Sequence, residues 1–499
     1  MIGRISRCLI WGLFGCIGVA MTWYFVGRGG PSLEPWHTEA LSAEFTAKEV
    51  DAVRTFDDYR QLEGKLFAQL EEQVYLRVGT GPAYALVRYS SGSAADPQLY
   101  APNWNRSFEL ATDSPVGGAL LLHGMSDSPY TFRALGVALN QRKYWVVGLR
   151  LPGHGTAPSG LLNITWEDMA AAVQLGMEHL ASKVGHQPIH VLGYSTGAPL
   201  ALNFTLDALE GKASPLPAGL VLISPAVGLH PAAKLAGVLN RLSAVPGLAR
   251  LAWLSIEPEF DPFKYNSFAT NAGMQVSRLT RDVARRIAVR GRSGPIRGFP
   301  PTLVFKSAVD ATVSADAVVD NLLKHLGADG HELVLFDINR FAAKSTLLID
   351  DPSPLSDRLM TDATLPFTVT LVTNESPQSR SVIARRKAPF ARAAAEITHL
   401  DLSWPTEVIS LSHVALPFPP DDPLYGQHFP KDDKVLFLGQ MAIRGERGLL
   451  RISSEWLLRL RFNPFYDFLE SRTLEWVDNA GGRQAVSNVG RGSQCGDYP

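Results

Sequence analysis

"IHVLGYSTGAPLALNF", Ile189 to Phe204, joins an apolar run of strand composition (Ile189 to Leu192) to a stretch of helical composition (Ala198 to Leu209). Between them Gly193 to Gly197 read Gly-x-Ser-x-Gly, with Ser195 at the centre. A serine on a tight strand-to-helix turn is forced outward, and its neighbours must be small so that the backbone can bend. The helix start behind it aims free N–H groups and positive dipole at the place where an oxyanion would form. Five residues alone do not separate a nucleophile from a serine in a glycine-rich turn, so the rest of the chain has to decide.

Around this stretch the chain alternates. "GALLLHG" (Gly118 to Gly124), "YWVVGLRL" (Tyr144 to Leu151), "GLVLIS" (Gly219 to Ser224), "TLVFKS" (Thr302 to Ser307) and "HELVLFD" (His331 to Asp337) are strand-like. Helical patterns lie at Tyr130 to Gln141, Thr165 to Lys183 and Ser314 to Leu326. Short apolar runs separated by helices imply parallel strands joined by crossover helices, so the fold class is α/β with a doubly wound, mostly parallel sheet. Two stretches break the alternation. Residues 226–300, rich in proline and short apolar helices, read as a helical lid. Residues 338–410, with strand-like "FTVTLVTN" (Phe367 to Asn374) and basic "ARRKAPFAR" (Ala384 to Arg392), read as a small insertion beside the sheet, the basic run as a solvated face. Whether the last sheet strand is His331 to Asp337 or Phe367 to Asn374 stays open.

A chain of 499 residues accommodates this body with extensions. The expected division is an anchor or signal (1–27), a linker (28–45), an N-terminal helical extension (46–115), and the sheet domain (116–430). A C-terminal helical extension (431–477) and a disordered tail (478–499) follow. At 46% hydrophobic and 19% charged residues a large core can form, and a net charge of −1 gives no reason to expect a nucleic-acid partner. Cys8, Cys16 and Cys495 all lie outside the body, which excludes an internal disulfide or thiolate metal site there. Without a zinc, Walker or dinucleotide motif, no cofactor and no metal are expected. Cys8 to Val26 is uncharged and about long enough to cross a bilayer, with Arg4 and Arg7 before it. It reads as an uncleaved signal anchor, with the N-terminus cytoplasmic and the body outside; a cleaved secretory signal is the alternative.

A serine hydroxyl needs a base to take its proton, and the base needs an orienting acid. In sheets of this kind the order is Ser, then Asp or Glu, then His, at strand ends. Asp310, just past "TLVFKS", is the acid candidate, whereas Asp316 and Asp320 fall inside a helical pattern. His413 in "SLSHVALPFPPDDP" has the loop context for the base; His325, His331 and His399 also follow Asp310. Backbone N–H donors for the oxyanion are expected from Thr196, after the serine, and from Met125 in the loop after "LLLHG". His123 and His154 read as loop braces, and Ser126, Asp127 and Ser128 as polar rim or turn residues.

"LLLHGMSDSP", "LRLPGHGTAPSGL", "TWEDM", "LGYSTGAPLAL", the Asp310 loop and "SHVALPFPPDDPLYG" together resemble the α/β-hydrolase superfamily. The branch most resembled holds monoacylglycerol lipases, bacterial carboxylesterases and the serine aminopeptidase group. The likeness covers Gly117 to Leu424 with gaps at the two inserted stretches, and it is specific to fold and triad, not to substrate. It implies a serine hydrolase acting on a small ester substrate, with Ser195, Asp310 and His413 as triad and Met125 and Thr196 as oxyanion donors. With the N-terminal span added, the favoured reading is a membrane-anchored serine hydrolase. Amide hydrolysis, acyl transfer and a catalytically silent anchored binding domain are the alternatives. Two departures stand out: Ala198-Pro199 follows the elbow where relatives often have another glycine, and the interval from Asp310 to His413 is unusually long. Val238, Leu239, Leu248, Leu251, Trp253 and Leu254 would either hold an acyl chain or pack on the sheet; both readings remain. The sequence leaves the oligomeric state undetermined.

Overall fold

A computed structural model of the protein describes residues 31–49, 51–228, 233–310, 314–328, 330–343, 348–349, 351–406, 408–429, 436–439 and 460–489. The expected membrane span lies outside these residues. Among the described residues no helix is long and apolar enough to cross a membrane.

Helix α1 (Phe56–Gln73) opens behind Thr55, whose hydroxyl accepts the Asp58 N–H while Asp58 bonds back to Thr55. Apolar residues recur at helical spacing from Thr46 to Tyr75 in the sequence, and this capping box starts the helix inside that stretch, at Phe56. The remainder of the N-terminal extension is short 3-10 turns, closed by strand β1 (Phe108–Leu110). The alternating body follows: β2 (Gly117–Leu122), α2 (Arg133–Gln141), β3 (Tyr144–Leu149), α3 (Trp166–Val184), β4 (Ile189–Tyr194), α4 (Gly197–Leu209) and β5 (Gly219–Ile223). Between β5 and the next sheet strand lie α5 (Ala233–Leu242), a small pair β6 (Trp253–Ser255) and β7 (Phe268–Ala269), and α6 (Thr270–Arg290). The chain continues through β8 (Thr302–Ser307), α7 (Ala315–Asn321), β9 (His331–Phe336), α8 (Ser353–Thr361), β10 (Thr368–Asn374), β11 (Ser381–Lys387), β12 (Glu396–Ser403) and α9 (Tyr466–Val489).

One sheet runs in the order β1-β3-β2-β4-β5-β8-β9-β10-β11-β12. From β3 to β10 every pair is parallel, and β1, β11 and β12 pair antiparallel at the edges. Alternate residues of each central strand feed opposite cores. Leu120, Val191, Leu222 and Val304 meet α3, α4 and α6 on one face. Leu121, Leu192, Val221 and Phe305 meet α2 and α9 on the other. Burial on both faces is why these strands read as continuous apolar runs.

The structure corrects three expectations. The stretch 338–410 is not beside the sheet: β10, β11 and β12 extend the sheet itself, so His331–Phe336 and Thr368–Asn374 are both sheet strands. Part of the basic run forms β11, with Arg385 and Arg386 exposed and Lys387 buried, its ammonium donating to the Asp362 carbonyl at 2.9 Å. The second half of the 226–300 stretch is a sheet-covering layer, because α6 buries Leu279, Val283 and Ile287 in the main core. Of the apolar residues in its first half, Trp253 is buried in that core and Leu254 is exposed; the side chain of Val238 lies outside the described residues. Finally, α9 continues to Val489, so the tail expected from residue 478 begins as helix.

Candidate active site

Strand β4 delivers Ser195 at the carboxyl edge of the sheet in a left-handed conformation, φ 50°. Its N–H donates to the Ile223 carbonyl on β5 at 3.0 Å, and its own carbonyl accepts from Ala198 at 3.2 Å and Ala226 at 3.1 Å. Both flanking glycines are required by space. A Cβ on Gly193 would lie 2.6 Å from the Gly197 carbonyl oxygen, and one on Gly197 only 1.9 Å from that of Leu122. The elbow is therefore pressed against the end of β2, where the loop carrying Met125 begins. Pro199 falls in the first turn of α4, where a missing N–H costs the helix nothing.

This contact puts Thr196 and Met125 on neighbouring loops. Among the described residues neither backbone N–H has an acceptor within the protein. Gly124 allows the approach: a Cβ there would stand 2.9 Å from the Tyr194 ring and 2.5 Å from the Asp127 carboxylate. His123 accepts the Leu151 N–H on Nε2 at 3.1 Å, which leaves Nδ1 to donate to the Gly124 carbonyl at 2.8 Å. Burial, with neighbouring His154 second, holds the His123 imidazole far below its ordinary pKa. Burial likewise lowers His154 to about 4; its Nδ1 lies 2.9 Å from the Pro152 carbonyl and its Nε2 3.2 Å from Met125 sulfur. Both rings are neutral braces of the Met125 loop. Replacing His123 with alanine leaves the Leu151 N–H buried and unpaired, and the Gly124 carbonyl with only the Asp127 N–H at 3.3 Å. That is expected to cost about 2 kcal/mol or more in denaturant unfolding while the pH–rate profile keeps its shape; a lost titration limb would instead mark His123 as a proton carrier.

Asp310 sits three residues beyond β8, its side chain fully buried. One carboxylate oxygen, Oδ1, lies 3.6 Å from His413 Nδ1. The other, Oδ2, bonds the ammonium of Lys306, also fully buried, on β8. The long excursion after β9 returns to His413 because Asn339, just past β9, holds it. The Asn339 N–H donates to the Ile409 carbonyl at 2.7 Å and its side-chain amide to that of Val408 at 2.8 Å. Tyr194, next to the serine, donates its hydroxyl to the His413 carbonyl at 3.4 Å. The other histidines lie elsewhere. His399 is exposed on the outermost strand 4.0 Å from Glu375, His331 stands at the opposite, amino end of β9, and His325 sits in a 3-10 turn after α7. Asp316 and Asp320 pair with Arg358 and Lys324 on the exposed side of α7.

Residues 262–265, after α5, seat on the Met125 loop. The Tyr265 N–H donates to the Ser126 carbonyl at 2.8 Å, Lys264 pairs with Asp127, and the Phe263 ring stacks on Tyr130 at 4.1 Å. Asp127 is thus a buried ion-pair partner, not a rim residue. The segment is stapled by Glu259, whose carboxylate accepts from Asn266 at 3.0 Å and Ser267 at 2.7 Å. Burial nevertheless pushes its carboxyl up to about 7, from an ordinary 4.5. A carboxyl raised on folding favours the folded state while protonated. That contribution is whole below pH 4.5 and is lost as pH climbs through about 7. Glu259→Gln is expected to flatten this fall, read as urea midpoints at pH 5 and pH 8; an unchanged difference would mean that Glu259 does not set it.

Residues 113–338 match the family model described as "Serine aminopeptidase, S33". The thermostable monoacylglycerol lipase of Bacillus sp. (strain H-257) is 28% identical over 203 residues, 41% of this chain and 74% of that protein. A carboxylesterase of Bacillus subtilis (strain 168) is 36% identical over 84 residues, 17% of this chain and 34% of that one. The crystal structure of Paleococcus ferrophilus monoacylglycerol lipase is similar over 46% of this chain and 88% of its own, at 17% identity and a TM-score of 0.36. Residues 113–338 belong to the α/β-hydrolase superfamily. Ser195 and Asp310 fall within the matched residues and His413 beyond them.

Sequence reading missed Lys306 and the Lys264–Asp127 pair. A signal existed for Lys306: a lysine inside the apolar run "TLVFKS" is buried on both faces of a parallel sheet and needs a counter-charge, and an aspartate stands four residues on.

Proposed function

We propose that the protein is a serine hydrolase of carboxylic esters, working through an acyl-enzyme. His413 takes the Ser195 proton as the oxygen attacks the acyl carbon; Asp310 orients the imidazole and balances its charge. The tetrahedral oxygen is held by the N–H groups of Thr196 and Met125. His413 then hands the proton to the leaving alcohol, and water attacks the acyl-enzyme by the same route in reverse. The observation that carries this reading is the meeting of Asp310 and His413, 3.6 Å apart although far separated in sequence, at the sheet edge that presents Ser195. The activities named for the two Bacillus relatives support an ester substrate with an acyl chain. Residues 233–268, part of which seats on the Met125 loop, serve as its lid. Cys8 to Val26 would anchor the chain in a membrane with the body outside the cytoplasm.

The test is a panel of short- and long-chain p-nitrophenyl esters beside aminoacyl p-nitroanilides, with Ser195→Ala as blank. The reading expects ester turnover to exceed anilide turnover. The reverse preference would make the protein an amidase, and turnover unchanged in the blank would remove Ser195 from the chemistry.

A further inference from the structure

We propose that Lys306 is a positioning residue for this triad: it fixes the Asp310 carboxylate and lowers the pH at which His413 becomes a working base. The proposal rests on the triad reading above. Lys306 and Asp310 are both completely buried, and they divide the carboxylate between them and the imidazole, Oδ2 to the ammonium and Oδ1 toward Nδ1. A carboxylate pinned through one oxygen cannot rotate away from its second partner, so the base is offered one acceptor in one place.

The charge consequence follows from the same contact. In a simple triad the imidazolium formed during catalysis meets one negative charge, and the pair is neutral. Here that negative charge already neutralises an ammonium, and protonating His413 leaves the trio with a net positive charge, two of its three groups buried away from water. The imidazolium is less favoured, and the neutral base persists to lower pH. The ionisable groups on neighbouring elements include the Tyr194 hydroxyl on β4, Asp337 paired with Arg340 after β9, Asp127 paired with Lys264 on the Met125 loop, and Asp422 paired with Arg133. Two of these ion pairs are internally balanced and Arg340 also binds Asp351 at 2.7 Å, whereas Lys306 touches the triad carboxylate itself.

The experiment is the pH dependence of Ser195 labelling by a fluorophosphonate, on full-length wild type, Lys306→Met and Lys306→Gln. Removing the ammonium stabilises the imidazolium, so the acid limb should move upward by about one pH unit. At pH 6 the variants should then lose roughly tenfold in labelling rate relative to their own alkaline plateau. A purely structural lysine would lower the plateau and leave the limb where it was, and that result overturns the proposal. Should neither variant fold, the wild-type limb decides: a midpoint at or below about 6.5, the ordinary imidazole value, supports it, and one well above 7 overturns it. Absence of labelling in folded wild type would overturn the triad reading itself, a different failure from a labelled enzyme with an unmoved limb.

Discussion

Ser195→Ala is expected to lower kcat for ester hydrolysis by about 10⁴ or more, with KM nearly unchanged. On the proposed mechanism the hydroxyl is the bond-forming atom, and its loss leaves only transition-state binding by the Thr196 and Met125 donors. The size of the effect is less diagnostic than its non-additivity. If Ser195 and His413 act as one unit, His413→Ala alone should cost a similar factor, and the double variant no more than either. Two losses that multiplied would mean that the residues contribute independently, and the triad would not be the working unit. The fold should tolerate the serine change: alanine fits a half-buried position whose backbone bonds to Ile223, Ala198 and Ala226 remain.

Asp310→Asn is expected to have a double effect. Activity should fall by about 10⁴, because an amide cannot balance the imidazolium and can hold the imidazole in the wrong tautomer. Stability should fall as well, by about 3–5 kcal/mol, because the carboxylate is also the counter-charge of a completely buried ammonium. In a triad whose acid serves only the histidine, the first loss would come without the second. Chemical denaturation of the wild type, Asp310→Asn and the Lys306→Met/Asp310→Asn double variant separates the two. The double variant has neither charge and should recover most of the stability and none of the activity. If Asp310→Asn unfolds at the wild-type midpoint, the Lys306 contact has no energetic weight.

How much of this was legible in the sequence depended on burial. The central strands could be read because both their faces are covered, which demands near-continuous apolar runs such as Gly117–Leu122, Ile189–Tyr194 (broken only by the buried His190) and Gly219–Ile223. Strand β11, "SVIARRK", could not, because it lies near the open edge, where exposed arginines alternate with little regularity. The elbow was legible from two glycines whose Cβ atoms have no room. The return of the chain to His413 was not, since it depends on Asn339 holding Val408 and Ile409, a contact that no local pattern announces. The late start of α1 was written in Thr55 and Asp58 and outweighed by an apolar spacing that ran past the cap. Lys306 shows the same limit at the site: strand composition gives the element, and the partner of a buried charge gives the chemistry.

The most direct test of the central claim is to treat the folded, full-length protein with a fluorophosphonate and map the adduct by peptide mass spectrometry. The account predicts a single adduct on Ser195, absent from Ser195→Ala and strongly slowed in His413→Ala. A folded protein that stays unlabelled, or that carries the adduct on another serine, would contradict it.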